Sequence, residues 1–334
     1  MPAPVTILIP NFNGEKFLED CVTSALRQSL APSEVLVVDD ASTDRSPELA
    51  AQLGSRVLSL SHNHGFAHAV NSGVTDSSTE WVAIVNSDVV LADDWLAELL
   101  DSAQASNAAY ACGPITRCED VTIMDGSYDL LSRAACPWRA GSGFPIAEMR
   151  LPGGYWSPSF TALLIRRDVY LEAGSLDESF GSYLEDVDFG LRLHKRDCRG
   201  VFVPTALATH LGSATFGAWS ARSTRLLSRN QLLLVARHYP DGWFRRFGRA
   251  VVAGQLLWGI LALSQGVFPA WFAGKLDALR IWSEIRARST PMDSSWLTSR
   301  LESGEREILA WQSQPPRDWY WRWYFRLAGS PGRD

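Results

Sequence analysis

Val5-Thr6-Ile7-Leu8-Ile9 is a nearly unbroken apolar run, and Pro10-Asn11-Phe12-Asn13-Gly14 follows it as turn chemistry. The run predicts a buried strand and the turn marks its end. Over Glu15–Ser29 the period changes, with Phe17, Leu18, Cys21, Val22, Ala25 and Leu26 at helical spacing. A second strand is predicted over Glu34–Val38, ending in Asp39-Asp40. Ser42-Thr43-Asp44 then reads as a cap, with Pro47 early in the next helix. Arg56–Leu60 predicts a third strand, Asn63–Gly65 a turn, Phe66–Val74 a short helix, Trp81–Val85 a fourth strand and Asp94–Ala105 a helix.

Strands alternating with helices imply an α/β fold, a parallel sheet covered by helices on both faces. Ligands of such sheets bind beyond the carboxyl ends of the strands. Asn11, Asp40, Asn63 and Asp88 each stand just after a predicted strand end, so they share one rim. Tyr110–Pro152 shows no clear period and predicts a strand followed by a long loop. Phe160–Ile165 predicts a strand, Arg167–Gly174 a short helix closed by glycine, and Phe189–Arg196 a further helix. Gly200–Pro204 and Ala206–His210 predict short strands. From about Ala218 the chain reads as helical to near Arg288, then as polar until Trp319-Tyr320-Trp321-Arg322-Trp323-Tyr324-Phe325.

The chain has 334 residues, 46% hydrophobic and 20% charged, enough for a sizeable core in one large or two modest domains. Its formal net charge of −6 argues against general nucleic-acid binding. The charge is uneven: between Arg222 and Arg288 arginines far outnumber Asp241, Asp277 and Glu284. Five cysteines without a CxxC pair argue against a zinc site or a disulfide framework and for reduced thiols. No secretory apolar run is read at the N-terminus, so a cytosolic location is expected.

Glu185-Asp186-Val187-Asp188 packs three carboxylates into four positions between Phe180 and Phe189. Crowded like charges beside apolar groups make a carboxylate a better proton acceptor, suited to an alcohol substrate. The same pattern also fits the acidic first turn of an amphipathic helix. A second acidic site, Asn86-Ser87-Asp88, ends the fourth strand, where it also reads as a plain turn. After the second strand, Asp40 is the candidate acceptor for a pyrimidine N3–H, with Asp39 structural; a simple helix cap is the alternative. There is no GxGxxG after the first strand and no GxxxxGK[ST], which disfavours those phosphate loops. A divalent cation on Asp88, Mg²⁺ or Mn²⁺, would neutralise a pyrophosphate instead. His210 reads as structural unless its strand returns it to that metal, and His62, His64 and His68 read as loop residues.

In order, these motifs resemble the family 2 glycosyltransferases of GT-A fold, especially their rhamnosyltransferase-like branch. The matching residues are Ile9–Gly14, Val37–Asp44, Asn63–Ala67 with Asn71, Val85–Val89, Glu185–Phe189 with Arg192, His210–Ser213 and Arg229-Asn230. The resemblance covers roughly the first 240 residues. It implies a mixed sheet flanked by helices over 1–217, with a donor half of about 1–110 and an acceptor half of about 111–217. A mostly helical region, 218–334, would follow.

The resemblance further implies inverting transfer from a nucleotide-diphosphate sugar to a saccharide hydroxyl. The acceptor is expected to be a cell-envelope saccharide or a lipid-linked saccharide. Asp186 would be the general base, with Glu185, Asp188 and Arg192 around it on the acceptor side. Pro10, Asn11, Asn13, Asp40, Asn63, Gly65, Asn71, Asn86 and Ser87 would face the donor nucleotide, and Asp88 and His210 the metal. Two departures stand out: Asn86 replaces the first carboxylate of the DxD-type motif, and His68 and Ala69 stand where extra glycines often occur. A dTDP-rhamnose donor is the leading expectation, ahead of a UDP-hexose or UDP-galactofuranose.

Arg249–Lys275 is long and apolar but interrupted by Gln255, Ser264, Gln265 and Pro269. With its basic flanks it fits a helix lying in a membrane interface, at the inner face of the plasma membrane. Residues 245–290 and the aromatic tail 319–326 are the expected contacts. A helical subdomain packed on the core, or a homo-oligomer interface, is the alternative. A nucleotidyltransferase would be expected to show a basic phosphate loop, a receiver domain would be shorter, and an inactive scaffold sits poorly with intact Asp40, Asp88 and Asp186.

Overall fold

The computed structural model describes residues 2–211 and 219–332. In chain order the first elements are β1 (Ala3–Asn11), α1 (Leu18–Leu26), β2 (Pro32–Asp39), α2 (Ser46–Gln52), β3 (Arg56–Ser59), α3 (Phe66–Asp76) and β4 (Trp81–Val85). There follow β5 (Val89–Leu91), α4 (Trp95–Ala105), β6 (Tyr110–Cys112), β7 (Ile115–Arg117), β8 (Met124–Gly126), β9 (Tyr128–Leu131) and β10 (Pro137–Arg139). Then come β11 (Ser157–Pro158), β12 (Ala162–Arg166), α5 (Arg167–Glu172), α6 (Glu185–Lys195), β13 (Gly200–Phe202) and β14 (Ala208–His210).

A seven-stranded sheet runs in the order β13-β6-β12-β4-β1-β2-β3. β1 pairs in parallel with β2 and β4, whereas β12 is antiparallel to both β4 and β6. The sheet is therefore mixed, as the resemblance implied, and not wholly parallel as alternation alone suggested. Strand alternation sorts the core into two layers. Val5, Ile7 and Ile9 join the buried cluster of α1 and α4, while Leu8 points the other way, against Gly73 of α3.

Tyr110–Pro152, expected to be mostly loop, holds five strands of three or four residues. Runs that short show no period-two signal, which is why they escaped the pattern. Two of them, β7 and β8, join β5 and β14 in a second sheet of order β5-β14-β7-β8.

The described chain divides into two compact units. One holds the chain through Tyr128, Gly141–Leu151 and Ser157 through His210; the other holds Asp129–Ala140, Pro152–Trp156 and the chain from Trp219. The boundary expected at 217–218 lies outside the described residues. Within them, two short segments of the expected acceptor half belong to the second unit.

That second unit carries α7 (Ala221–His238), α8 (Trp243–Ser264), α9 (Phe268–Ala287), α10 (Ser294–Trp311) and α11 (Trp319–Ala328). The tail read as polar is thus helical. Asp293 caps α10 by accepting from the Ser295 and Trp296 amides, and Asp318 caps α11 through the Tyr320 amide. The apolar run 249–275 is not one helix: Gln265, Gly266 with φ +73°, and Pro269 separate α8 from α9. α8 is long and apolar enough to cross a membrane by length and composition, with half of that stretch buried inside the protein.

Two polar groups hold this unit together, Glu305 fully buried and Lys275 half-buried. Glu305 accepts from the Arg133 backbone N–H (2.8 Å), its Nε (2.7 Å) and the Tyr324 hydroxyl (2.5 Å). Lys275 donates to the Ser228 carbonyl (2.8 Å) and to the Gln255 side chain. Burial pushes the Lys275 ammonium down to about 7 from its ordinary 10.5. Between those values the unfolded chain binds a proton that the folded chain lacks. Stability therefore rises as pH climbs from about 7 toward 10, and the penalty is full below 7. In urea titrations the wild-type midpoint should gain on that of Lys275→Met across this window; parallel midpoints would refute an uncharged Lys275.

Candidate active site

The loops after β1 and β2 are stitched together by hydrogen bonds within the protein. The Asn11 carboxamide donates to Asp39 (3.0 Å), Ser42 Oγ (3.2 Å) and Ser46 Oγ (2.8 Å). Asn13 donates its backbone N–H to Ser42 Oγ (2.8 Å) and accepts from the Thr43 amide (2.8 Å). Asp39 also accepts from the Ser42 amide and is structural, as the sequence suggested. Pro10 is paired with Val38 inside the sheet. Asn11 and Asn13, expected at the nucleotide, thus build the rim.

Asp40 is buried, and its two carboxylate oxygens accept the backbone N–H groups of His64 (2.8 Å) and Gly65 (2.7 Å). A carboxylate has about four acceptor positions, so each oxygen retains one. Gly65 has φ +94°, a conformation that L side chains rarely adopt, and this turns the chain into α3. Asn63 lies exposed beside it.

α3 then grips the loop that leads to the acidic cluster. The Ala67 amide donates to the Gly181 carbonyl (3.2 Å). The Asn71 side chain donates to Leu176 O (3.0 Å) and Glu178 (3.0 Å), and accepts from the Tyr170 hydroxyl (2.6 Å) and the Leu176 amide (3.0 Å). Both ends of the Asn71 amide, expected at the nucleotide, bond to the protein, making it a clamp between two loops.

Tyr183 and Leu184, with φ of 70° and 67°, turn the chain sharply into α6. Two consecutive left-handed residues cost on the order of 1–3 kcal/mol each. The helix starts at Glu185, four residues before the predicted start, so all three carboxylates form its first turn. There the aligned backbone N–H groups favour negative charge.

The three carboxylates differ in exposure. Asp188 is fully buried and paired with Arg192 (2.8 Å), which also donates to the Ala173 and Ser175 carbonyls. Expected on the acceptor side, Asp188 and Arg192 pair with each other, and Arg192 anchors α6 through the two carbonyls. Glu185 is buried as well, and Asp186 alone is partly open.

A short segment joins the two anionic sites. Ser157 Oγ donates to the Asp186 carbonyl (2.9 Å), and four residues later the Thr161 carbonyl accepts from the Asn86 amide (3.0 Å). Four residues of extended chain reach at most about 14 Å. The Asp186 and Asn86 backbones, a hundred positions apart in sequence, are thus tied to the two ends of one short segment. The approach depends on Gly190: a Cβ there would lie 1.9 Å from Ser157 Oγ.

Strand register assembles the other half of the site. β14 pairs antiparallel with β5, His210 opposite Val89, which sets the imidazole beside Asp88. His210 Nε2 lies 3.3 Å from the Asp88 carboxylate, and Nδ1 lies 2.9 Å from Asp125 on β8. Burial disfavours a proton on His210, but the hydrogen bonds and charges of Asp125 and Asp88 outweigh it and raise the imidazole to about 9. Asp125 did not emerge from the sequence. The Met124-Asp125-Gly126 strand sits in a stretch without period, and only sheet pairing reveals its partner.

The donor set suits a hard divalent cation. Asn86 Oδ1 is buried with no hydrogen-bond partner among the described residues, close in sequence to the Asp88 carboxylate, and His210 Nε2 would add a nitrogen once a cation displaced its proton. No closed cage of three or more His, Cys, Asp or Glu side chains occurs among the described residues. Mg²⁺ and Mn²⁺ commonly use one or two protein carboxylates and complete their shells with substrate phosphates. Asp125 would orient His210 in the manner of a carboxylate behind a metal-bound histidine. Ser87, the remaining predicted nucleotide contact, sits in the same turn.

Residues 6–173 match the family model described as glycosyl transferase family 2. An N-acetylglucosaminyl-diphospho-decaprenol L-rhamnosyltransferase of Mycobacterium tuberculosis is 27% identical over 283 residues, covering 77% of this chain and 90% of its own. A pre-mycofactocin glycosyltransferase of the same species is 28% identical over 270 residues, covering 79% of this chain and 53% of its own. Among solved structures, the mannosyltransferase PcManGT of Pyrobaculum calidifontis, with GDP-Man and Mn²⁺, has a TM-score of 0.53 at 16% identity, covering 98% of this chain and 86% of its own. GalNAc-T7 with UDP, GalNAc and Mn²⁺ has a TM-score of 0.61 at 13% identity, covering 93% and 58%. At such identities the structural likeness concerns the fold alone.

Proposed function

Because the chain belongs to glycosyl transferase family 2 and is a glycosyltransferase, we propose that it moves a deoxyhexose, rhamnose, from a dTDP-linked donor to a hydroxyl of a lipid-linked saccharide. The transfer inverts the anomeric centre and serves cell-envelope polysaccharide or glycoconjugate synthesis at the inner face of the plasma membrane. The likeness over 77% of this chain to a relative named for rhamnosyl transfer to a lipid diphosphate sugar supports the donor and acceptor classes. The observation that carries the chemistry is the Ser157–Thr161 segment, which bonds at one end to the backbone of the partly open Asp186 and at the other to that of Asn86.

In this reading Asp186 takes the proton of the acceptor hydroxyl as that oxygen attacks the anomeric carbon. The nucleotide diphosphate leaves from the opposite side, so one displacement inverts the centre and no enzyme nucleophile is needed. A divalent cation held by Asp88, His210 and the Asn86 amide oxygen would supply positive charge against the departing diphosphate. Asp40 and the loops it fixes would receive the base. Glu185 lies beside Asp186 at the start of α6, and the Asp188–Arg192 pair holds the helix in place.

A thermal-shift screen of dTDP, UDP and GDP, each with and without Mn²⁺, tests the donor side. A nucleotide at a hundred-fold excess over its Kd stabilises the fold by about 2.7 kcal/mol. The largest shift is expected with dTDP and Mn²⁺. A larger shift with UDP would move the donor to a UDP-hexose or UDP-galactofuranose, and no shift with any nucleotide would defeat the reading.

A further inference from the structure

We propose that the C-terminal helices form a docking surface for an anionic lipid bilayer, entered by the turn between α8 and α9. On α8, Val252, Leu256, Ile260 and Leu263 are exposed; on α9, Phe268, Phe272, Leu276 and Leu279; on α11, Trp319, Trp323 and Leu327. Residues three and four apart share one side of a helix, so each set is a single stripe. A lone exposed leucine needs no explanation, but contiguous stripes do. Leu256 is 58% exposed, Leu263 63% and Phe272 52%.

Packing inside this unit brings the stripes to one face. Gly259 of α8 meets the Trp271 ring and Gln255 meets Lys275, while Trp243 lies 6.4 Å from Trp282, so α9 runs antiparallel to α8 on one flank. On the other flank the Tyr320 hydroxyl donates to the Gly254 carbonyl (3.1 Å) and Arg249 donates to the Leu327 carbonyl (2.5 Å), so α11 is also antiparallel to α8. The α8 stripe lies between these flanks. On α9 and α11 the stripe sits about a quarter turn from the residues that face α8, in the rotational sense that returns it to the same side.

Charge identifies the occupant. α8 and α11 contain no Asp or Glu. Arg245, Arg246 and Arg249 fall in the first two turns of α8, and Arg322 and Arg326 lie on α11, whose end meets that same region through Arg249 and Leu327. The face is therefore basic at one end and apolar at the other, around Leu263 and Phe268. A second copy would bring arginines and no α8 or α11 carboxylate to meet them, whereas lipid phosphates meet them directly. An interfacial helix buries its apolar face about 5–10 Å into the headgroup boundary, with arginines at phosphate depth and tryptophans at the interface. The inference rests on the C-terminal helices alone and is independent of which sugar is transferred.

Flotation of the full chain with phosphatidylcholine vesicles, with and without phosphatidylglycerol, tests it. Binding is expected to the anionic vesicles at low salt, weakening as salt rises. Each basic residue near such a surface multiplies binding roughly five-fold. The Arg245→Glu/Arg246→Glu variant should therefore lose at least about ten-fold, and Leu263→Glu/Phe272→Glu at least as much. Nucleotide-induced thermal shifts should be unchanged in both variants, which separates lost docking from lost folding. Absence of binding at low salt, or equal binding by wild type and both variants, overturns the proposal. So does a vesicle-free dimer that Leu263→Glu dissociates, since a second copy would then own the face.

Discussion

Asp186→Asn is expected to lower the rate of sugar transfer by about 10²–10⁴-fold, the usual contribution of a positioned general base. The substitution keeps size and shape and removes the ability to accept a proton. Asp186 is the partly open member of its cluster, and its backbone carbonyl, not its carboxylate, receives Ser157. The Ser157–Thr161 bridge should therefore survive, and the Mn²⁺-dependent nucleotide shift with it. Steady-state transfer assays beside thermal shifts read both halves of the expectation. Turnover near the wild-type rate in purified Asp186→Asn would take the base role from this residue.

Asp88→Asn is expected to remove the Mn²⁺-dependent part of nucleotide binding and to lower transfer by about 10³-fold, since a metal contributes several kcal/mol to charge stabilisation. Asp125→Asn should behave differently. Asp125 lies behind His210, 2.9 Å from Nδ1, and outer partners of metal-bound histidines typically alter affinity about 10–100-fold. Raising Mn²⁺ should restore transfer in Asp125→Asn and leave Asp88→Asn impaired. Metal titrations of both variants, reading kcat and half-saturating Mn²⁺ separately, distinguish the roles. An unchanged Mn²⁺ response in Asp88→Asn would place the metal elsewhere.

Much of the first unit was legible because its signals are local. The run Val5–Ile9 and the periodic residues Leu18, Cys21, Val22 and Ala25 announce a buried strand and an amphipathic helix from neighbours a few positions apart. The second unit yielded less. Asp293 before Leu297, Leu301 and Ile308 was a readable cap and period, obscured by the polar residues between. The helices α8 and α9 were visible as apolar content, but the break at Gly266 divides what composition presents as one run.

Sequence by itself determined the alternation of strands and helices, the polar rim at the strand ends and the acidic clusters, since periodicity and turn chemistry depend on residues within a turn or two. Tertiary structure decided which polar side chains remain open. Asn71, Asp188 and Arg192 are taken up by hydrogen bonds, those of Asn71 to partners 99 to 107 positions away, the Asn11 amide nitrogen ties two loops together, and Asp125 gains its place only through the pairing of short strands. Burial and partnership depend on long-range packing, which no local pattern encodes.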